Sequence, residues 1–122
     1  MYLVGAAHPH KEKSQTILED LLRKGEDLVT DAEVFQEILH RFVAIQRPEA
    51  IAPAFDVIQA AVEEIYPVEY NDVLAAKDIL QRISRLTARD AIHLAIMKRR
   101  GIGKIFSFDS DFDDLPGIYR IR

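Results

Sequence analysis

The stretch that decides the fold is residues 87–108, which read TARDAIHLAIMKRRGIGKIFSF. Thr87 is suited to begin a helix, and the apolar run from Ala91 to Met97 continues that helix until Gly101 stops it. Lys104 to Phe108 then predicts a strand, because apolar and aromatic residues follow a glycine break there. A helix that feeds directly into a short strand is typical of an α/β domain.

The same alternation extends outward from this stretch in both directions. Helices that alternate with short strands at this spacing favour one α/β domain, a parallel sheet flanked by helices. The expected elements are a helix over His10–Arg23, a strand at Leu28–Thr30, a helix begun by Thr30 or Asp31 and ending near Gln46, a helix after Pro48 and Pro53 that runs to about Ile65, a strand or extended link at Tyr66–Tyr70, a helix capped by Asn71, and a last strand at Ile118–Ile121.

Length and composition indicate a single soluble domain over residues 1–122. The chain has 122 residues, of which 48% are hydrophobic and 30% charged, so a disordered chain is excluded. Cysteine is absent, which excludes a disulfide scaffold, thiolate zinc sites and cysteine nucleophiles. No apolar run approaches the roughly 20 residues that span a bilayer, and the N-terminal residues do not resemble a signal peptide. We therefore expect a cytoplasmic protein that does not contact a membrane.

The net charge of −4 conceals one basic stretch inside an acidic chain. Between Lys77 and Lys104 there are eight basic residues and only two acidic ones, whereas the rest of the chain has eight basic and eighteen acidic residues. A solvated helix surface explains such a stretch equally well. The stretch nevertheless permits a polyanion partner, since phosphate contacts require Lys and Arg.

Three carboxylates are candidates for chemistry at the carboxyl ends of the strands, where ligands bind in open α/β sheets. Glu37 borders the apolar face of its helix, although an ion pair with Arg41 one turn later is the simpler explanation. Asp90 fits a capping box with Thr87, yet its helix is apolar nearly all round. Because a buried carboxylate must be paired, protonated or bound to a cation, Asp90 is the strongest candidate.

The third carboxylate, Asp109, directly follows the predicted strand at Lys104–Phe108. Asp111 is two residues further on and could cap a short helical turn, while Asp113 and Asp114 are expected to be solvated. Several carboxylates in one cleft need a counter-ion, and all-oxygen ligands favour Mg²⁺ or Mn²⁺. Such ions cut phosphodiesters by activating a water molecule and stabilising the leaving oxygen.

The histidines are weaker candidates for a functional site. His8 and His10 form a terminal His-x-His pattern, which is usually incidental. His93 lies inside the apolar run and is more often a hydrogen-bonded core residue. No Gly-rich phosphate loop, Ser-His-Asp order or H-E-x-x-H motif is present.

Three segments of the sequence resemble the PIN-domain nucleases, and within them the VapC-type toxins of toxin–antitoxin pairs. They are Thr30–Ile38 (TDAEVFQEI), Thr87–His93 (TARDAIH) and Ser107–Phe112 (SFDSDF). Order, spacing and flanking residues agree over almost the whole chain. The resemblance implies a PIN-like three-layer α/β fold.

The same resemblance implies a Mg²⁺- or Mn²⁺-dependent endoribonuclease that is commonly a dimer and is held inactive by a VapB-type antitoxin. By position, Glu37, Asp90 and Asp109 would be the acidic catalytic and metal-binding residues. Asp111 matches an additional acidic position. Contacts to the RNA substrate would come from the hydroxyl residue ahead of the acid and from the basic stretch, namely Thr87, Arg85, Arg89 and Lys98.

One departure from the family pattern concerns the N-terminus. Members begin with a central apolar strand that ends in Asp-Thr-Asn or Asp-Thr-Ser, whose aspartate is a principal metal ligand. Here Met1–Gly5 resembles the helix after that motif, and no acidic residue precedes Glu12. About 5–10 residues, one strand, are therefore expected to be missing, which would expose the apolar edges of two neighbouring strands.

Three explanations of this departure compete. The natural start codon could lie upstream, which we favour. The domain could close around the gap, by dimerisation for example, as a weakened or inactive nuclease. It could also be a module that binds antitoxin or RNA without cutting.

Overall fold

The computed structural model describes residues 1–4, 23, 25–107 and 110–121. Their strands form one parallel sheet in the order β3-β2-β1-β4-β5, which confirms the predicted α/β class. The strands are β1 (Tyr2–Leu3), β2 (Val29–Asp31), β3 (Glu64–Tyr66), β4 (Lys104–Phe106) and β5 (Tyr119–Ile121).

Helices flank this sheet, and the described ones occupy most of the chain between β2 and β4. They are α1 (Ala32–Ala44), α2 (Ile51–Ala61), α3 (Tyr70–Arg82) and α4 (Ala88–Arg99), with short 3₁₀ turns at Pro48–Ala50 and Ser110–Phe112. In this part of the chain every helix is too short or too polar to cross a membrane. The helix predicted over His10–Arg23 lies outside the described residues except for Arg23.

The start of α3 differs from the prediction that Asn71 caps this helix. Tyr70 is the first helical residue and Glu69 is its N-cap. The backbone N–H of Glu69 donates to Asp72 Oδ2 at 2.9 Å, which is one half of a reciprocal capping box. The prediction was wrong because Asp72, three residues after Glu69, completes this box, whereas Asn71 already lies within the first turn.

The N-terminal residues also differ from the prediction that they correspond to a helix. Tyr2 and Leu3 form the central strand, where Tyr2 pairs with Val29 on one side and with Ile105 on the other. Tyr2, Leu3 and Val4 are all buried. The predicted exposure of the neighbouring strand edges was therefore wrong, because an apolar tripeptide supplies both edges with backbone hydrogen-bond partners.

The chain order across the sheet places a crevice at the carboxyl ends of β1 and β4. From β1 the chain moves outward through β2 to β3, and it then crosses back to form β4 and β5 on the other side of β1. Ligand sites in open α/β sheets lie at such reversals of strand order. Helix α4, which is buried over most of its length, packs against α3 and contacts α1 near this edge.

Candidate active site

A chain of hydrogen bonds connects the sheet to α1 and α4 at this carboxyl edge. The Tyr2 hydroxyl donates to Asp31 Oδ2. The same carboxylate oxygen lies 2.7 Å from His93 Nδ1, and His93 Nε2 lies 2.9 Å from Glu37 Oε1. These contacts join residues from β1, β2, α4 and α1, so the site is fixed by four elements.

The two innermost charged groups of this hydrogen-bond chain, Asp31 and His93, are buried and paired with each other. Asp31 is fully buried and His93 is only 1% exposed. Burial lowers the pKa of His93, but its hydrogen bonds with Asp31 and Glu37 act more strongly and raise that pKa to about 10. At neutral pH the imidazole is therefore protonated on both nitrogens and donates to both carboxylates.

Asp31 stabilises three elements at once. Its Oδ1 accepts a hydrogen bond of 3.1 Å from the backbone N–H of Val34, which makes it the N-cap of α1 as predicted. Its Oδ2 accepts from Tyr2 and His93. Burial and the Asp31 charge raise the pKa of Tyr2, so its hydroxyl stays a donor.

Glu37 occupies the border position that its helical spacing predicts. Its side chain is 25% exposed, and its ion pair runs to His93 of α4. The simpler explanation, an ion pair with Arg41 one turn along α1, is not the contact that Glu37 makes among the described residues. Glu37 also contributes, with burial, to a raised pKa of Glu33 one turn earlier.

Asp90 both caps α4 and lies in its buried face. The Thr87 hydroxyl accepts from the Asp90 backbone N–H, and Asp90 Oδ2 accepts from the Thr87 N–H, each at 3.1 Å. Asp90 is 7% exposed. Since His93 is three residues later, both side chains lie on the same side of α4, and Glu37 approaches that side. Glu37 thus contacts His93 directly, whereas Asp90 is one turn earlier on the same helix.

Asp109 lies outside the described residues, but the turn that follows it is described. Arg85 donates to the carbonyls of Asp111 and Asp113 at 3.0 and 2.7 Å. Arg120 binds both carboxylate oxygens of Asp113 at 2.6 and 2.9 Å and donates to the Ser107 carbonyl at 3.1 Å. The expectation that Asp113 is merely solvated was wrong, because β5 places an arginine beside it.

The residues predicted to contact the RNA substrate are not gathered in one place. Thr87 and Arg89 lie at the start of α4, near Asp90, whereas Lys98 lies in its last turn. Lys98 is eight positions after Asp90, which corresponds to about 12 Å along the helix axis. The guanidinium of Arg85 is bound to the turn after Asp109. The basic stretch is therefore divided between the two ends of α4.

The donor set suits a hard cation but is incomplete within the described residues. Glu37 and Asp90 offer carboxylate oxygens, which Mg²⁺ and Mn²⁺ prefer, and one or two carboxylates with waters are a common Mg²⁺ set. In residues 1–4, 23, 25–107 and 110–121, no three histidine or carboxylate side chains are grouped to hold one metal ion. The chemistry of these two carboxylates therefore fits the ion, with waters or further oxygen ligands completing its coordination.

Comparison with known proteins identifies the family. The sequence matches the PIN domain family over residues 1–118. The chain belongs to the PIN-domain family. Within it this PIN domain is of the VapC type: it is 56% identical to Ribonuclease VapC13 of Mycobacterium tuberculosis over 121 residues, which cover 99% of this chain and 92% of that protein.

Solved structures with low sequence identity share the fold of this PIN domain. The crystal structure of VapC20 from Mycobacterium tuberculosis, described as a sarcin–ricin loop cleaving toxin, gives a TM-score of 0.71 at 17% identity and 90% coverage of both chains. VapBC2 from Rickettsia felis, bound to a DNA fragment of its promoter, gives 0.73 at 13% identity and covers 98% of this chain and 96% of that one. These likenesses confirm the expected PIN fold.

Sequence reasoning missed the two residues that organise the site. His93 was interpreted as an ordinary core histidine and Asp31 as a helix cap; both interpretations hold, but neither is complete. The signal that could have found His93 was its position three residues after Asp90 on the same helix. Asp31 gave no such signal, because its contact with His93 joins residues 62 positions apart.

Proposed function

We propose that this PIN domain is a divalent-metal-dependent endoribonuclease, the toxin of a type II toxin–antitoxin pair. The observation that carries the proposal is the His93–Glu37 contact, which holds Glu37 beside the face of α4 that carries Asp90. It lies at the carboxyl edge of the sheet, where this topology binds ligands. The close relationship with proteins named ribonucleases supports the same activity.

In the proposed mechanism Glu37, Asp90 and Asp109 hold Mg²⁺ or Mn²⁺, and Asp111 is an additional acidic ligand. Held there, such an ion would supply a water of lowered pKa and stabilise the leaving oxygen of the phosphodiester. Glu37, whose side chain is partly exposed, would help to hold the ion or, as an alternative, orient the attacking water. Burial of Asp90 strengthens its attraction for the cation, since low dielectric surroundings screen charge less.

The proposed substrate contacts come from Thr87, Arg85, Arg89 and Lys98. Arg89 is exposed in the first turn of α4 and lies nearest to Asp90 along the chain. Arg85 already donates to backbone carbonyls, so in this proposal it acts on RNA mainly by fixing the acidic turn. Lys98, at the far end of α4, would bind phosphates several nucleotides from the cut.

The test is RNA cleavage by the Asp90→Asn variant in Mn²⁺ or Mg²⁺. Asparagine keeps the size of the side chain and an acceptor for the Thr87 N–H, so the fold and its melting temperature should change little. Loss of one metal-binding charge should reduce cleavage by about 10²-fold or more. Asp78→Asn is the matched control, because Asp78 is an exposed acid on α3. Undiminished cleavage by Asp90→Asn, or no cleavage of varied RNAs by the unaltered chain, would refute the proposal.

A VapB-type antitoxin and a second copy of the chain are the proposed protein partners, in the cytoplasm. Two structures with this fold support the antitoxin: VapBC2 from Rickettsia felis and a structure described as a toxin–antitoxin complex from Klebsiella pneumoniae. Co-expression with a candidate VapB-type antitoxin, followed by light scattering, tests both partners. Copurification in a defined ratio is expected, and a monomer that ignores the antitoxin would contradict it.

A second candidate function is a catalytically impaired module that binds antitoxin or RNA without cleavage. The observation that favours it is that the described residues contain no three grouped metal ligands. This candidate predicts binding that survives Asp90→Asn and requires no metal. The nuclease proposal predicts cleavage that stops when the metal is chelated.

A further inference from the structure

We propose that His93 is a positioning residue, which orients the Glu37 carboxylate by donating Nε2–H to one of its oxygens and leaves the other oxygen for a divalent cation. The inference rests on the proposed function, because it assigns Glu37 to the metal site. It adds to that function a residue that touches neither metal nor RNA. His93 would act only through Glu37.

The hydrogen-bond directions follow from the partners of the imidazole ring. Nδ1 faces Asp31 at 2.7 Å and Nε2 faces Glu37 at 2.9 Å. Ionised carboxylates only accept hydrogen bonds, so each ring nitrogen must carry the hydrogen that it donates. The ring cannot rotate without breaking both bonds in a site that is closed to water.

The support behind the ring is itself rigid. Asp31 is fully buried and is held by the Val34 backbone N–H and by the Tyr2 hydroxyl. Tyr2 lies in the central strand, which pairs on both sides. The position of the imidazole is therefore fixed from the sheet, and a fixed imidazole can fix Glu37.

Glu37 needs such support because its side chain is long and 25% exposed. A glutamate side chain without such a contact loses rotamer freedom when a bound cation confines it to one geometry. A hydrogen bond from the interior confines it before the cation arrives. Residues that hold metal ligands in this way are commonly worth about 10- to 100-fold in metal affinity.

Two amide substitutions of His93 separate positioning from structure. In His93→Gln the amide nitrogen reaches the place of Nε2 and can still donate to Glu37. In His93→Asn the shorter amide reaches only the place of Nδ1, so it keeps a donor for Asp31 and loses the one for Glu37. Both variants bury a neutral amide, but asparagine also leaves the larger cavity, so the melting temperature of each variant is measured beside its Mn²⁺ affinity to separate a structural effect.

The first measurement is Mn²⁺ affinity without RNA, by titration calorimetry, and the second is the kcat and KM of RNA cleavage. For His93→Asn we expect Mn²⁺ affinity and kcat to fall by about 10- to 100-fold with KM nearly unchanged. For His93→Gln, which keeps the donor, we expect a loss of only about threefold. Equal losses in the two variants, or no loss in His93→Asn, would overturn the inference.

Glu37→Asp is a second variant that leaves His93 and Asp31 intact, in case His93→Asn does not fold. Its carboxylate is withdrawn by one methylene from the imidazole, so Mn²⁺ affinity should again fall about tenfold or more. Retained affinity would show that the contact is dispensable and the inference wrong. If the unaltered chain binds Mn²⁺ and the variants differ as expected but no RNA is cut, the proposed function fails while the inference stands. If the unaltered chain binds no Mn²⁺, both fail.

Discussion

Replacing Arg120 by methionine tests how the turn after Asp109 is held. The side chain of Arg120 is only 5% exposed, and it reaches from β5 to both sides of this turn. Its contacts include the bidentate pair with the Asp113 carboxylate and the hydrogen bond to the Ser107 carbonyl. Methionine keeps most of the apolar stem and removes the guanidinium, so the variant isolates these polar contacts.

The expected loss of stability follows from those contacts. The Asp113 side chain is 41% exposed, so solvent screens its pair and we assign about 1 kcal/mol to it. The carbonyl of Ser107 belongs to a residue that is 2% exposed, and loss of a donor there costs about 1–2 kcal/mol. The unfolding free energy should therefore fall by about 2–3 kcal/mol. For a domain of this size that lowers the melting temperature by roughly 6–12 °C.

Thermal and urea unfolding measure this effect, and a double-mutant cycle with Asp113→Asn isolates the ion pair. We expect a coupling energy of about 1 kcal/mol between the two substitutions. The rate of RNA cleavage should fall by more than the smaller folded fraction explains. The reason is that the turn that carries Asp111 loses its hydrogen bonds to Arg120 of β5. Arg82→Met, at an exposed arginine of α3, is the control. A melting temperature within about 2 °C of the unaltered chain would refute the reasoning.

Two further predictions concern stability away from the site. Burial raises the pKa of Asp72, but hydrogen bonds from Arg99 and from a backbone N–H outweigh it and lower that pKa below the usual 3.8. The contribution of Asp72 to the unfolding free energy is therefore present above about pH 4 and is lost as the pH falls below it. We expect the unfolding free energy of Asp72→Asn to fall less between pH 7 and pH 2 than that of the unaltered chain, and urea unfolding across this range measures it. A Cβ added at Gly103 would lie 2.7 Å from the Gly117 carbonyl oxygen, so Gly103→Ala should lower the unfolding free energy by about 1–3 kcal/mol. Gly101→Ala, with open space around its Cβ but a φ of +69°, measures the loss from backbone strain without a clash, and no loss in Gly103→Ala would show that the clash is relieved without cost.

The parts of the fold that follow from local sequence could be predicted. Thr87 and Asp90 form the expected capping box, and Asp31 caps α1, because these signals involve neighbours in the chain. The position of Tyr2 could not be predicted in this way. An apolar tripeptide is compatible with a helix or a strand, and only the unpaired edges of β2 and β4 decide between them.

The same distinction between local and long-range contacts applies to the residues of the candidate site. Glu37 and Asp90 could be selected because a carboxylate near an apolar helix face is a visible conflict. His93 showed no such conflict, and its position three residues after Asp90 was the one signal that could have drawn attention to it. The contacts of Arg120 could not be predicted for another reason. They depend on the register of β5 beside β4, which the sequence does not reveal.

The contacts of Asp31 have a consequence for how this protein tolerates mutation. Its carboxylate accepts hydrogen bonds from Tyr2 of the central strand, from the Val34 backbone N–H at the start of α1, and from His93 of the candidate site. Substitutions at this position are expected to lower stability and the proposed nuclease activity together, so an activity screen alone would not distinguish a poorly folded variant from a folded but inactive one. Attenuated but well-folded forms are better sought at Glu37, whose partly exposed side chain lies at the surface end of the same hydrogen-bond chain.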